Sequence, residues 1–543
     1  MRRTLLRTVI LSVVGLCALS AGAQVFNAAW QASGTANENV TAIRFNSTGH
    51  VIEVITGGGS VVIGADTLPY TASSYLASYS TDGTLDWVVP VGAQLLLAGY
   101  LRRSALAVTD DDTIHFAGTF TGEGMVGDTL LSAPGLNLFL ATFTSGGDLV
   151  RVRIIGNELR PLALEPAPGG DLVLGATSFN TNFMIGSTAL TNYGNQGVDI
   201  LMARMDRHGN IIWYDQSGGP GFYSDNLADL AVHPDGAISL TGRIRSDAVF
   251  DAILQTVPSV NPHGFVARYD AGGAAQWVKL FGYEPEAVDV DADGNCYVLG
   301  SGGSHIDTAD IISGNYAGSH YLASIDNVGE VNWVLYPDDG NIGFAHDVVV
   351  NADGDAWVAG YHRTLLSVSS LATSASGNNA WMVHKTDRFG TAEWVSLSGS
   401  ANATSNIEAL CIAVDGDCGV AVGGTYSTTG PWTIWAVNVP ASTNFNALTT
   451  ILDGCDIVTG IVPSVALDRE WSIHPNPATG QFNIDLPDDA RGNLRIMDAQ
   501  GRSYLDRQLH DDARTIDLMM VPGLYLVTWS SVEGCSSRRL VVE

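Results

Sequence analysis

The chain has 543 residues and carries 26 basic against 56 acidic side chains, a net charge of −30. Such acidity argues against nucleic acid and anionic membrane as partners, because both are met by basic patches. Its length exceeds what one hydrophobic core organises, and 46% hydrophobic with 15% charged residues describes folded domains rather than a disordered chain.

Residues 1–23 have the three parts of a secretory signal. Arg2, Arg3 and Arg7 form the basic end, Val9–Leu19 the apolar run, and Ala21, Gly22 and Ala23 the cleavage site before Gln24. The run falls short of the roughly 20 apolar residues of a membrane span, and no other stretch reaches that length, so no transmembrane segment is expected. Cys17 follows Val14-Gly15-Leu16, a poor lipoprotein site, and goes with the discarded peptide. The other cysteines are Cys296, Cys411, Cys418, Cys455 and Cys535, an odd set with no zinc spacing. Cys411 and Cys418 flank one predicted turn, where either a disulfide or two thiols fits.

Between residues 30 and 439 one unit repeats. Trp30, Trp87, Trp213, Trp277, Trp333 and Trp394 recur, with Arg151 in the place of a missing Trp, at intervals of 57, 64, 62, 64, 56 and 61 residues. Seven residues before each later marker stands a turn with Gly in fourth place: Ser80–Gly83, Thr144–Gly147, Asp206–Gly209, Asp270–Gly273, Asp326–Gly329 and Asp387–Gly390. Glycine supplies the positive φ of a tight hairpin, and a leading Asp can accept hydrogen bonds from the turn backbone.

Each unit reads as four short strands, as in Ala228–His233, Ile238–Arg243, Gly264–Tyr269 and Ala275–Phe281, with no sustained helical period. Four strands per unit fit a propeller blade. The last unit offers only three, Glu408–Val414, Gly419–Tyr426 and Thr433–Val439, while Trp30–Gly34 is left over at the other end. Pairing Trp30–Gly34 with Thr433–Val439 completes seven blades and removes two open edges. The repeat resembles the secreted bacterial β-propeller repeats on Asp291–Gly300 and on Gly264–Asp270 with Trp277. That resemblance implies architecture and no single activity.

Residues 440–470 carry no marker and are expected to be a linker. From 471 to 543 the pattern changes: Pro475-Asn476-Pro477 with Gly480, alternating Phe482–Leu486, then Asp498 with Gly501-Arg502, and Gly523 with Tyr525 before a basic, apolar ending. Period-two strands between Pro and Gly turns predict a small β-sandwich. This ordered series resembles the type A C-terminal sorting domain of the type IX secretion system of Bacteroidota. The resemblance implies passage through the periplasm, the type IX machinery as partner, and Pro475, Asn476, Pro477, Gly480, Asp498, Gly501, Gly523 and Tyr525 as the sorting motif. The expected fold class is therefore all-β, a seven-bladed β-propeller over residues 24–439 followed by a β-sandwich.

Chemistry is harder to find. Asp289–Asn295 begins like a calcium loop, but Gly300 stands where the bidentate Glu is needed, and the favoured reading is a hairpin turn whose Asp and Gly serve backbone geometry. Gly57–Gly59 and Gly218–Gly221 lack the Lys and helix of a phosphate loop. His320, His346, His362 and His384 have no metal spacing, and no Gly-x-Ser-x-Gly elbow marks a nucleophile. The Trp markers read as packing between blades. The long connections Thr56–Ser74, Ser178–Gly197 and Ser301–Ser319 are the expected ligand loops, with Arg102, Arg103, Tyr223, Asp225, Asp338 and Asp339 as candidate contacts. No catalytic, metal or cofactor residue is assigned and no cofactor is expected. The favoured function is a secreted or surface module binding a glycan or protein. The alternative is a polymer-degrading propeller enzyme, whose acid and base groups would converge on the central channel.

Overall fold

The computed structural model describes residues 25–34, 37–57, 61–63, 66–68, 74–92, 105–178, 180–194, 198–220, 225–257, 262–281, 285–301, 305–306, 311–312, 320–337, 343–368, 371–398, 406–415, 419–428, 432–434, 437–439, 442–453, 472–479, 481–485, 492–498, 503–509, 515–517, 522–531 and 534–542. These residues contain strands and turns and no helix. They fall into two compact units, one within Ala21–Val458 and one within Thr459–Glu543. Residues 1–23, with the expected signal peptide, lie outside the described residues.

The larger unit is built from four-stranded antiparallel meanders taken in chain order. The first holds Asn39–Phe45, Val51–Thr56, Ser74–Tyr79 and Leu85–Pro90. The second holds Ala105–Val108, Ile114–Val126, Thr129–Phe143 and Leu149–Asn157. The third holds Leu159–Ala167, Asp171–Ser178, Ile200–Met205 and Ile211–Ser217. The fourth, Asn226–Val232, Ile238–Ile244, His263–Tyr269 and Ala275–Phe281, falls within two residues of the sequence expectation. The fifth runs Pro285–Val290, Cys296–Ser301, His320–Ile325 and Val331–Leu335, and the sixth Gly343–Val350, Ala356–Val368, Leu371–Thr386 and Ala392–Leu397. The first strand of each sheet lies beside the first strand of the next, and Asn406–Asp415 of the last lies beside Asn39–Phe45 of the first. The arrangement is propeller-like.

The last sheet corrects the expected pairing. Val25–Gly34 does complete it, but its partner is Ser442–Asp453, with Trp30 opposite Thr449. Trp432–Ile434 and Val437–Val439 pair only with each other, as a separate hairpin. The propeller-like unit therefore extends past residue 439 into the stretch expected to be linker. The extra hairpin has equivalents in the other sheets. The connection between second and third strands carries Val61–Ile63 with Asp66–Leu68, Asn182–Ile185 with Thr188–Thr191, Ala248–Phe250 with Ile253–Gln255, and His305–Ile306 with Ile311–Ile312. Three of these hairpins pair with the outer strand of the preceding sheet or the residue just past it, as in Ala32 with Ile63, Gly156 with Ile185 and Gly218 with Val249, and the long second strand of the second sheet does the same through the bridge from Val126 to Val91. Much of the connection length expected to hold ligand loops thus clasps neighbouring sheets together.

Apolar packing lies between sheets. In the sixth, Val358, Met382 and Val395 pack on Tyr297, Leu299 and Leu322 of the fifth, while Trp357, Trp381 and Trp394 pack toward Val420, Val422 and Leu448 of the last. Successive residues of a strand point to opposite faces and both faces are covered, hence the continuous apolar runs. The turn glycines behave as expected, with φ of +83° at Gly147, +88° at Gly273 and +78° at Gly390. Asp387 Oδ1 accepts the amides of Phe389 at 3.0 Å and Thr391 at 2.7 Å.

Four of the marker tryptophans reach the turn of the next sheet. Trp87, Trp213, Trp277 and Trp333 donate Nε1–H to carbonyls in the next sheet's turn: Ser145 at 2.9 Å, Ala271 at 3.3 Å, Asn327 at 3.1 Å and Arg388 at 2.8 Å. Each indole also lies on the glycine of that turn, where an added Cβ would stand 2.6 Å from Trp87, 2.9 Å from Trp213, 3.1 Å from Trp277 and 2.6 Å from Trp333. Beside Arg151, Arg153 takes the same role, donating to His208 O at 3.0 Å. Trp30 differs: it is buried, stacks on Tyr79 at 4.6 Å and donates to Glu53 at 3.3 Å.

In the smaller unit the strands run in the order Ser503–Leu509, Gly492–Asp498, Gly523–Ser531, Gly534–Val542, Ser472–Thr479, Gln481–Asp485 and Thr515–Asp517. Its core is Ala478, Phe482, Ile484, Leu494, Ile496, Ile516, Tyr525, Val527, Leu540 and Val542. Ser472–Thr479 changes partner midway: its start pairs antiparallel with Gln481–Asp485, and Ala478 pairs in parallel with Val542.

Candidate functional site

The inner strands bring together groups that no sequence motif singled out. Arg44, Glu165 and Asp289 stand two residues before the turn that ends their strand, and Asp229 and Asp347 stand four before it, so all share one strand face. Arg44 Nη2 meets Glu165 Oε1 at 2.5 Å, joining the first sheet to the third. Asp229 Oδ2 accepts Val288 N–H at 3.1 Å, Asp289 Oδ2 accepts Val350 N–H at 2.7 Å, and Asp347 Oδ2 accepts Ile412 N–H at 2.9 Å. Each carboxylate reaches into the next sheet. Asp289 and Asp347 also take the following amide of their own strand, both at 2.9 Å. Burial pushes Asp289 up to about 8, and Glu165 is raised for the same reason against the pull of Arg44. One guanidinium, Arg44, therefore interacts with the charges of four carboxylates, Glu165, Asp229, Asp289 and Asp347.

Asp291–Gly294 forms the hairpin turn, the reading favoured over a calcium loop. Asp291 Oδ1 accepts Asn295 N–H at 2.8 Å and Oδ2 accepts Asn295 Nδ2 at 2.7 Å and the Tyr297 hydroxyl at 3.1 Å, while Gly294 has φ +89°. Asp289 faces the inner strands instead, so the two carboxylates do not converge. Among the described residues, no three His, Cys, Asp or Glu side chains gather in a metal-holding group. His320 and His384 meet through Nε2 at 2.9 Å between the fifth and sixth sheets, a contact the sequence did not signal. Cys411 donates its thiol to Val40 O at 3.7 Å, and Cys418 lies outside the described residues.

Of the loop candidates, Arg102, Arg103, Tyr223, Asp338 and Asp339 lie outside the described residues. Asp225 is buried and accepts the amides of Gly219 at 2.9 Å and Arg245 at 3.1 Å, so it is no exposed ligand contact.

In the smaller unit the motif residues surround the last strand. Prolines 475 and 477 have no N–H to give a ladder, and Asn476 between them fills the gap. Its Nδ2 donates to Arg539 O at 2.6 Å and its Oδ1 accepts Val541 N–H at 2.9 Å. Gly523 stands opposite Val542, buried Tyr525 opposite Leu540, and Asp498 opposite Tyr525. Gly480 and Gly501 lie outside the described residues.

Residues 472–543 match the secretion system C-terminal sorting domain. No curated protein matches the chain. Similar solved structures are β-propeller proteins. A catalytically inactive virginiamycin B lyase from Staphylococcus aureus with quinupristin is 12% identical at a TM-score of 0.38, over 78% of this chain and 98% of that one. YCF48 bound to D1 peptide is 12% identical at 0.38, over 81% and 100%. A protein of unknown function from Bacteroides caccae is 10% identical at 0.32, over 64% and 93%. Among the described residues no helix is long and apolar enough to cross a membrane.

Proposed function

We infer that the sorting domain at 472–543 marks this chain for export by its secretion system, as a secreted or cell-surface protein with a propeller-like fold. We propose that the larger unit is a closed seven-bladed β-propeller that binds an extracellular glycan or protein without turning it over. In this reading the signal peptide is cut before Gln24, and the type IX machinery reads a β-sandwich marked by Pro475–Pro477, Gly480, Asp498, Gly501, Gly523 and Tyr525. The repeat would then be of the secreted bacterial propeller type, from a member of the Bacteroidota.

One observation carries the non-catalytic reading. Acid and base catalysis needs a carboxyl within reach of substrate, and Asp229, Asp289 and Asp347 instead spend an oxygen on the neighbouring sheet's backbone. Glu165, the other inner carboxylate, is held by Arg44. The test is a glycan-array and protein-binding screen of the mature chain beside a polysaccharide-turnover screen. Saturable binding without turnover is expected. Turnover abolished by Glu165→Gln would replace the binding reading with an enzyme.

A further inference from the structure

We propose that His320 and His384 form a proton-sensitive latch between the fifth and sixth sheets, closed while the pair shares an N–H···N hydrogen bond and released when both imidazoles are protonated. His320 opens His320–Ile325, His384 lies within Leu371–Thr386, and their Nε2 atoms stand 2.9 Å apart. The ring centroids are 5.1 Å apart and the planes 25° from parallel, so the nitrogens lie nearly on the line between the rings. Such a head-to-head bond needs Nε2–H on one ring and a bare Nε2 on the other. Both histidines depart from the pattern of the repeat. One residue before the strand partner of each marker stand Ala77, Ala141, Ala203, Ala267 and Ala323 in the first five sheets and Leu448 in the last, whereas the sixth carries His384. Four residues before that partner, where the fifth sheet carries His320, the others have Ser74, Leu138, Ile200, Gly264, Trp381 and Phe445.

His320 is 1% and His384 0% exposed, in the layer that also holds Leu322 and Met382, two residues along each strand. The other ionisable groups of the surrounding strands are engaged elsewhere. Tyr297 donates its hydroxyl to Asp291 at 3.1 Å, and Asp289 holds the amides of Val290 and Val350. His362 stands nearer the end of its strand, opposite Gly343 and Ala380, and Arg363 Nε donates to Asn379 at 3.0 Å. Cys296 and Tyr321 pack toward the fourth sheet. Toward the last sheet, Lys385 lies over Trp357 bonded to Asp355 and Glu393, His346 meets the Tyr361 ring and stands 3.9 Å from Glu408, and Asp347 accepts Ile412 N–H. At the turn Arg388 pairs with Asp293. The donor ring of the imidazole pair can take one proton on Nδ1 and keep its bond. A second proton removes the accepting lone pair and sets two cations against each other in a buried layer. Unscreened by water, that repulsion drives the two sheets apart.

The test compares thermal melts of the mature chain at about pH 7.5 and about pH 5, either side of the roughly 6.5 of an ordinary imidazole. A fold that excludes protons the unfolded chain binds loses stability as pH falls. The melting temperature of the wild type should therefore fall toward acid relative to that of the double variant His320→Leu with His384→Ala. That variant copies Leu138 and Ala203, which pack together between the second and third sheets. Buried His115, His233 and Glu53 remain in both proteins, so their effects cancel. A difference that does not change with pH would overturn the proposal. His384→Gln separates the pair from burial alone, because its amide oxygen can accept from a protonated His320. It should also gain on the wild type toward acid, and a variant that tracks the wild type would assign the effect to His320 by itself and overturn the latch. Amide exchange of the wild type supplies an arm independent of any variant's folding. Corrected for the intrinsic pH effect, residues 320–325 and 381–386 should lose protection toward acid while Ile200–Met205 keeps its own. A uniform change across all three would overturn the local release.

Discussion

Replacing Gly390 by Ala tests whether the tryptophan markers and the turn glycines are one device. Gly390 has φ +78°, and its added Cβ would stand 2.6 Å from the Trp333 ring. The left-handed backbone costs an L-residue roughly 1–2 kcal/mol. Displacing the indole also breaks the 2.8 Å bond from Trp333 Nε1 to Arg388 O, worth about 1 kcal/mol, and loosens its packing. The expected total is about 3 kcal/mol. Gly122 is the control, because its φ is +71° and nothing lies within 4 Å of its Cβ position. Gly122→Ala should cost only the backbone share, roughly 1–2 kcal/mol. Urea denaturation followed by tryptophan fluorescence reads both. Equal losses in the two variants would refute the coupling between sheets. So would a Gly390→Ala loss that stays unchanged in a Trp333→Leu background.

Three further outcomes follow from named contacts. Glu53 is buried between Trp30 and Thr449 Oγ1, the latter at 2.5 Å, and burial pushes it up to about 7. A carboxyl raised in the folded state binds more protons folded than unfolded, so stability should fall as pH rises from about 4.5 to 7, by about 3 kcal/mol; Glu53→Gln should flatten that slope in pH-dependent melts, and a slope unchanged by the substitution would count against it. Asp347→Ala leaves the amides of Val348 and Ile412 without their acceptor, at about 2–4 kcal/mol by urea denaturation, whereas a loss under about 0.5 kcal/mol would mean that the sheets hold without it. Asn476→Ala removes both bonds to the last strand, so amide exchange of Arg539–Val541 should accelerate, and unchanged protection there would deny Asn476 its strand-completing role.

Turns were legible because their chemistry is local. The Gly and Asp of Asp270–Gly273 or Asp387–Gly390 answer to four consecutive residues, so spacing alone exposes them. The partner of each Trp was not legible as such, since it sits on the following repeat, 50 residues or more further on. The clasping hairpins escaped because strands such as His305–Ile306 are too short to show a period. Ser442–Asp453 escaped for a different reason: its outer partner comes from the other end of the chain, so no turn and no marker follow it. The inner carboxylates had a usable signal in the even spacing of Glu165, Asp229, Asp289 and Asp347 before their turns. Only the fold reveals that three of them bond a neighbour's backbone.

Export through the C-terminal unit is the claim on which the function rests, and localisation of a truncated chain tests it most directly. In the native host, the protein ending before Ser472 should carry a folded propeller-like unit and remain in the periplasm, while the full chain reaches the surface or medium. Arrival of the truncated chain at the cell surface in amounts equal to the full chain would contradict the account.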